Sequence, residues 1–269
     1  MPDLAGTFLG EIVAARRRQI EEVRQRVPLA ALRESAEART DFRDFPSALS
    51  GATLRVIAEL KRASPSRGLL CQRYRRREIA RSYEAAEASA LSVLTEERYF
   101  LGSLEDLVEV RSAVRLPVLR KDFILEPYQV YESAAAGADA VLLIVAALPD
   151  KDLRDLFALS DTLRVAALVE VHTAEELDHA LAAGAKIIGV NNRDLKTLNV
   201  NLEVSFRLRP KIPSGCTAIS ESGIRGPADM KRLAEARYHA VLIGERFMTA
   251  EDPGKELAEF LKLERALAR

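Results

Sequence analysis

From Gly51 onward the chain alternates short apolar runs with longer stretches in which apolar residues recur every three or four places. The runs are Leu54–Lys61, Ala90–Thr95, Leu116–Lys121, Ala138–Val145, Val165–Glu170, Lys186–Asn191, Cys216–Glu221 and His239–Gly244. Some, such as Ala140-Val141-Leu142-Leu143-Ile144-Val145, are apolar at every position, as expected of a strand covered on both faces in a parallel sheet. The stretches between them read as amphipathic helices. Ala174–Leu181 ends at Gly184 and Tyr128–Ala136 at Gly137, each glycine placed as a C-cap. Eight strand–helix units in series predict an α/β fold, a closed (β/α)8 TIM barrel, more readily than an open doubly wound sheet. No Gly-x-Gly-x-x-Gly follows any run, which weakens the open-sheet reading.

Residues 1–50 precede the first run. Leu9, Ile12, Ile20, Val23 and Val27 recur there at near-helical spacing with charges between them, and Pro28 interrupts. The expectation is a helical N-terminal extension of one or two helices packed on the barrel, so that 1–269 form one barrel domain. No linker and no low-complexity tract breaks the pattern.

Composition narrows the partners. Forty acidic residues balance forty basic ones, which gives no reason to expect nucleic acid or an anionic membrane. Cys71 and Cys216 make no disulfide or metal framework, as suits a reducing compartment. The longest apolar run, Ala138 to Leu148, is broken by Asp139 and too short to span a bilayer. Arg16-Arg17-Arg18 suggests a transit peptide, but Glu11, Glu21 and Glu22 argue against one. A cytoplasmic monomer is expected.

The polar ends of the runs carry the chemistry. They are Glu59 with Lys61, Thr95, Lys121, Glu170, Asn191, and Glu221 with Ser222. In a parallel barrel such ends converge on one face, where active sites lie. Alternation puts Glu59 and Lys61 on one side, as it does Lys121 and Phe123, and Asn191 and Arg193 if the strand geometry persists. For a single strand end, a solvated or paired charge is the plainer account. For six ends polar in register, catalysis is the better one. The chain uses arginine as its default cation, with 31 against nine lysines, yet keeps Lys61 and Lys121 at strand ends. Arginine holds its proton near neutrality, whereas a lysine in a dry pocket can have its pKa lowered, so these two are candidate general acids. Ser220-Glu221-Ser222-Gly223-Ile224 and Ile243-Gly244-Glu245-Arg246-Phe247 follow the seventh and eighth runs, where barrels of this class bind phosphate through backbone N–H groups. A phosphorylated substrate is expected. His172, His179 and His239 lack metal-ligand spacing, and His172 is expected to cap a helix or face solvent. Arg73-Tyr74-Arg75-Arg76-Arg77 reads as a solvated loop and Cys216 as core.

Six ordered motifs resemble indole-3-glycerol phosphate synthases. They are Glu59-Leu60-Lys61-Arg62-Ala63-Ser64-Pro65-Ser66-Arg67-Gly68, Ser92-Val93-Leu94-Thr95-Glu96, Leu119-Arg120-Lys121-Asp122-Phe123-Ile124, Val169-Glu170-Val171-His172, Gly189-Val190-Asn191-Asn192-Arg193-Asp194-Leu195 and Ser220-Glu221-Ser222-Gly223-Ile224. The likeness spans the chain and includes the N-terminal extension. Two departures are Arg67, where the family often has Lys, and Glu245, where some members have Ser.

The resemblance implies ring closure of 1-(2-carboxyphenylamino)-1-deoxyribulose 5-phosphate to indole-3-glycerol phosphate, with loss of carbon dioxide and water and without cofactor or metal. By matching position it implies Lys121 as general acid, Glu170 as general base, and Lys61 as a holder of the substrate carboxylate or phosphate that can share the acid role. Glu59 and Asn191 would orient these groups, with Glu221 and Arg193 shaping the electrostatics. Phe100, Phe123, Leu142 and Ile243 would wall the anthranilate ring. Ser222, Gly223, Gly244 and Glu245 would take the phosphate by backbone N–H groups. Ser64, in the first βα loop, would help to close the site.

Three rivals stand beside this reading. Phosphoribosylanthranilate isomerase, a sister barrel enzyme, is expected to lack both the extension and the Lys-Asp-Phe motif. A metal-dependent or Schiff-base aldolase would form a reducible adduct at Lys121. A non-catalytic phosphate-binding barrel would have no reason to keep acid, base and phosphate loops together.

Overall fold

The computed structural model describes residues 4, 6–195 and 197–267, so part of the first few residues of the expected extension lies outside the described set. Eight strands form the wall: β1 (Arg55–Leu60), β2 (Ala90–Leu94), β3 (Val118–Lys121), β4 (Ala140–Ile144), β5 (Ala166–Val171), β6 (Ile187–Asn191), β7 (Thr217–Glu221) and β8 (Ala240–Ile243). All neighbours pair in parallel, and β1 closes the ring by pairing with both β2 and β8. Each falls within one residue or two of an expected run. The run ends that drop out do so for a reason. At β3, for example, Pro117 has no N–H to give to the ladder, and the strand begins at Val118, whose N–H goes to the carboxylate of Asp139, just before β4, at 3.0 Å.

The helices come in order: α1 (Phe8–Arg26), α2 (Leu29–Glu37) and α3 (Phe45–Ala48) before the barrel, then α4 (Arg76–Ala85), α5 (Leu104–Ala113), α6 (Pro127–Ala135), α7 (Asp150–Thr162), α8 (Ala174–Ala182), α9 (Glu203–Leu208), α10 (Pro227–Glu235), α11 (Glu245–Met248) and α12 (Pro253–Leu267). Gly137 and Gly184 end α6 and α8 with φ of 91° and 92°, the left-handed step expected of a glycine cap. Among the described residues no helix is long and apolar enough to cross a membrane.

The extension is gripped at both rims of the barrel. Thr7 caps α1 by accepting the Gly10 N–H, and Leu9, Ile12, Val13 and Ile20 are buried. Val23 is only half-buried and Val27 is exposed, so the apolar stripe read from the sequence fades toward Pro28. From α1, Arg16 reaches the loop after β3, where it meets Asp122 at 2.6 Å. After α2 the chain arrives at the other end of the wall. Arg39 bonds Asp139 just before β4 at 2.6 Å, and Arg43 donates to the Leu116 and Arg111 carbonyls.

Lys-Asp-Phe at the end of β3 shows how alternation sorts the side chains. Arg120 turns outward and is fully buried, bonded to Asp122, Glu132 and Ser133. Lys121 turns into the barrel. Asp122 collects Arg16, Arg120, the Thr95 hydroxyl at 2.6 Å and the Phe123 N–H at 2.8 Å. Burial disfavours its charge, but Arg16 and Arg120 overcome this and hold the Asp122 carboxyl below its ordinary range. The strand end that presents Lys121 and Phe123 is thereby pinned from outside.

Candidate active site

At the C-terminal ends of the strands lies a cavity of about 600 Å³. Of the sixteen positions expected at the site, all but Ser64 line it: Glu59, Lys61, Phe100, Lys121, Phe123, Leu142, Glu170, Asn191, Arg193, Glu221, Ser222, Gly223, Ile243, Gly244 and Glu245. Ser64 stands behind the lining. It belongs to a two-residue strand paired with Gly68–Leu69, is buried, and its Oγ has no partner. Ser66 and Arg67, at the tip of that hairpin, face the cavity instead.

The floor is a cluster of charges. Lys121 Nζ lies 2.9 Å from Glu170 Oε2 and 3.2 Å from Glu221 Oε2. Lys61 Nζ lies 2.7 Å from Glu59 Oε1. Each lysine therefore has a carboxylate from a strand end as its first partner, which the alternation of Glu59 and Lys61 had foreshadowed. The carboxylates need room, and two glycines supply it. A Cβ on Gly189 would overlap Glu221 Oε1, and one on Gly244 would overlap Glu59 Oε1. Gly244 thus has a second task beyond the backbone approach expected of it.

The electrostatics decide what the sequence leaves open, whether the surroundings lower or raise the Lys121 pKa. Burial does work against the Lys121 ammonium, but Glu170, Glu221 and Glu59 outweigh it, and its pKa is raised rather than lowered. Lys121 rests protonated. Glu170 is disfavoured as an anion by burial, yet Lys121, His172 and a hydrogen bond from Asn191 carry it the other way, below its ordinary range. Glu221 lacks enough compensation. Burial, helped by the neighbouring Glu170 charge, pushes it up to about 7 in spite of Lys121. Three groups in contact therefore hold different proton affinities, the arrangement that acid–base sites use.

The lining mixes apolar and charged side chains. Phe100, Phe123, Leu142 and Ile243 form the expected apolar part, extended by Leu94, Ile144 and Leu242. Phe100 is held by Glu96, whose carboxylate accepts the backbone N–H groups of Arg98, Tyr99 and Phe100. Ser222 and Gly223, after β7, also line the cavity, with φ of 66° and 75°. A Cβ on Gly223 would press into Val200 Cγ1 as well as strain the backbone. Asn192 fixes this turn by donating to the Ser220 hydroxyl and to the Glu221 and Ser222 carbonyls. Arg67, Arg193, Arg225 and Arg246 line the same cavity.

Arg67 and Arg246 were not expected at the site. Arg67 enters the sequence reading only as a family departure, whereas Glu245 is both a departure and an expected phosphate contact through its backbone N–H. The structure brings the two departures together: Arg67 Nε lies 2.9 Å from Glu245 Oε1, and Arg193 Nη2 lies 3.4 Å from Glu245 Oε2. Arg193 also reaches the Ser66 hydroxyl at 3.3 Å, so the hairpin tip is tied across the cavity mouth. His172 meets its expectation and adds a contact. It stands behind the lining, partly exposed, between Glu176 in the first turn of α8, the helix-end contact expected of it, and Glu170, which was not expected. Among the described residues no three His, Cys, Asp or Glu side chains are grouped as a metal site.

Comparison with known proteins agrees with this geometry. The family model for indole-3-glycerol phosphate synthase matches residues 9–260. An indole-3-glycerol phosphate synthase of Carboxydothermus hydrogenoformans is 46% identical over 263 residues, covering 94% of this chain and 99% of that protein. One from a Polaromonas species is 47% identical over 261 residues, covering 96% and 99%. Among solved structures, thiamine phosphate pyrophosphorylase from Pyrococcus furiosus superposes with a TM-score of 0.60 at 16% identity, covering 80% of this chain and 98% of that one. That likeness concerns the barrel alone.

Proposed function

The chain belongs to the indole-3-glycerol phosphate synthase family, and from that premise we propose how its side chains divide the work. The reaction is the decarboxylating, dehydrating ring closure of 1-(2-carboxyphenylamino)-1-deoxyribulose 5-phosphate, a phosphorylated small molecule. The observation that carries the proposal is Lys121 standing between Glu170 and Glu221 at the floor of a cavity lined by both apolar side chains and arginines.

The anthranilate ring lies against Phe100, Phe123, Leu142 and Ile243, and the phosphate against the Ser222–Gly223 turn and Gly244. Lys61 takes the carboxylate, with Glu59 holding its ammonium in place. The ring carbon bearing that carboxylate attacks the ketone, and Lys121 donates to the oxygen as alkoxide character develops. An alkoxide is basic enough to take a proton even from an ammonium of raised pKa, so the raised value keeps the acid loaded without disabling it. Loss of carbon dioxide restores the aromatic ring. The hydroxyl then leaves as water with a second proton, and Glu170 removes a proton from the neighbouring methylene to complete the indole. Asn191 orients Glu170. The first βα hairpin, tied down through Arg67 and Ser66, excludes water from the mouth.

The test is indole fluorescence after the substrate is mixed with purified protein in the presence of EDTA. A rising signal is expected. A folded protein that binds the substrate and gives no signal would overturn the assignment, and borohydride trapping at Lys121 would then favour the Schiff-base rival.

Glu245 sets a further expectation. Its carboxylate pairs with Arg67 and Arg193 where the phosphate is to bind. Replacing Glu245 with Ser should free both guanidiniums and tighten inhibition by inorganic phosphate about two- to fivefold, the worth of a partly exposed ion pair. The gain should shrink as salt screens the arginines. Unchanged inhibition at low salt would show that the carboxylate does not compete with the anion.

A further inference from the structure

His172 follows β5 directly and does not line the cavity, yet its Nε2 stands 3.6 Å from Glu170 Oε1. Both atoms are buried and neither has a hydrogen-bond partner, so each is an unsatisfied group within reach of the other after a small shift. On the other edge of the ring, Nδ1 lies 3.1 Å from Glu176 Oε2, an oxygen that also accepts the His172 backbone N–H at 2.6 Å. Glu176 sits in the first turn of α8, where Thr173 caps the helix by accepting the Glu176 N–H. Side-chain exposure rises along the series from 1% at Glu170 to 12% at His172 and 22% at Glu176. Burial disfavours the charged ring, but the bond to Glu176 and the charges of Glu170, Glu176 and Glu221 prevail and raise its pKa.

The reaction needs what this arrangement can supply. The ketone oxygen leaves as water and so takes two protons, while only one is returned from the methylene carbon. The departing carboxylate leaves as neutral carbon dioxide. Each turnover therefore consumes one proton from solution. Lys121 and Glu170 can pass a proton between themselves across 2.9 Å, but the deficit must be met from outside, and a bound substrate covers the mouth.

We propose that His172 is the proton reservoir of the site. It donates from Nε2 to Glu170 Oε1, Glu170 donates from Oε2 to Lys121, and the partly exposed imidazole takes a replacement proton from water. Glu176 is a positioning residue, holding Nδ1 so that Nε2 faces Glu170. The assignment rests on Glu170 and Lys121 being the base and acid proposed above.

The experiment compares kcat and KM across pH for the parent enzyme, His172→Gln and Glu176→Gln. Glutamine keeps the polar shape of either side chain without the ability to supply a proton. For His172→Gln, kcat should fall on the order of tenfold or more in neutral buffer while KM stays near the parent value. The sign of the pH effect follows from the charged ring being the donor. Parent kcat falls as pH rises through the imidazole pKa, the variant lacks that limb, and the two profiles converge in alkaline buffer. Added imidazole should restore part of the loss. Should His172→Gln fail to fold, Glu176→Gln still reports, because removing the carboxylate should move the alkaline limb to lower pH. Equal kcat, or a deficit parallel at every pH and indifferent to imidazole, overturns the reservoir. Glu170→Gln, run beside them, tells the failures apart. If it too is fully active, the base assignment falls and the reservoir with it. If it is slow while His172→Gln is normal, only the reservoir falls.

Discussion

Replacing Lys121 with Ala is expected to lower kcat by roughly 10²–10⁴-fold, the usual contribution of a positioned general acid, while the barrel still forms. The loss should appear in kcat more than in KM, because the ammonium matters most once the ketone oxygen carries charge. Lys121→Arg separates proton from charge. It keeps a cation between Glu170 and Glu221 but cannot release a proton, so it should be nearly as slow as Ala. Near-normal kcat in Lys121→Ala would sink the assignment. Residual activity that vanishes when Lys61 is also replaced would place part of the acid role on Lys61, which lines the same cavity.

The same variant should reveal the electrostatic cost of the site. Without Lys121, Glu170 and Glu221 face each other, 1% exposed, with no ammonium between them. Both carboxyls are then raised in the folded state. Such a group binds its proton more tightly folded than unfolded, so its contribution to stability is full below the unfolded value of about 4.3 and is lost as pH rises through the folded value. Lys121→Ala should therefore resist denaturant best in mildly acid buffer and weaken toward neutrality more steeply than the parent. Parallel stability profiles for the two proteins would show that the pair is relieved by water entering the cavity.

The strand ends were legible because a parallel barrel makes them so. Consecutive apolar positions with a polar terminus mark a strand buried along its length and open at one end, and all eight lie where that pattern put them. What escaped was whatever depends on contacts between distant segments. Arg120 and Lys121 are adjacent cations, and only the fold shows that one serves the Asp122 network outside the wall while the other serves the cavity. Arg67 and Glu245 are 178 positions apart and looked like unrelated departures until the hairpin tip met the start of α11. The sign of the Lys121 shift also lay beyond the sequence, since it depends on two carboxylates arriving within hydrogen-bond distance from separate strands. Ser64 illustrates the reverse error. Its motif was right, but the short hairpin turns its hydroxyl behind the lining and sends Ser66 and Arg67 forward.

Glu170→Gln is the variant expected to show the other large effect: a folded protein that binds substrate and turns over roughly 10²–10⁴-fold more slowly. Glutamine is isosteric and can still accept a hydrogen bond from Lys121, so binding and fold should survive while proton abstraction is lost. The rival base is Glu221. It touches the same ammonium, and at about 7 its proton affinity is close to that favoured for a general base in neutral solution. Glu59, the next candidate on sequence grounds, is a weaker rival because its carboxylate is tied to Lys61 at 2.7 Å. Two facts favour Glu170. Its lowered pKa keeps it ionised and ready to accept, whereas Glu221 is partly protonated at rest. Glu221 is also folded back over Gly189, where its Oε1 occupies the space a side chain would fill. Paired measurements of substrate binding and single-turnover indole formation decide between them. Glu221→Gln should keep much of its turnover where Glu170→Gln does not, and the opposite ranking would give the base to Glu221 and leave Glu170 as the group that keeps Lys121 charged.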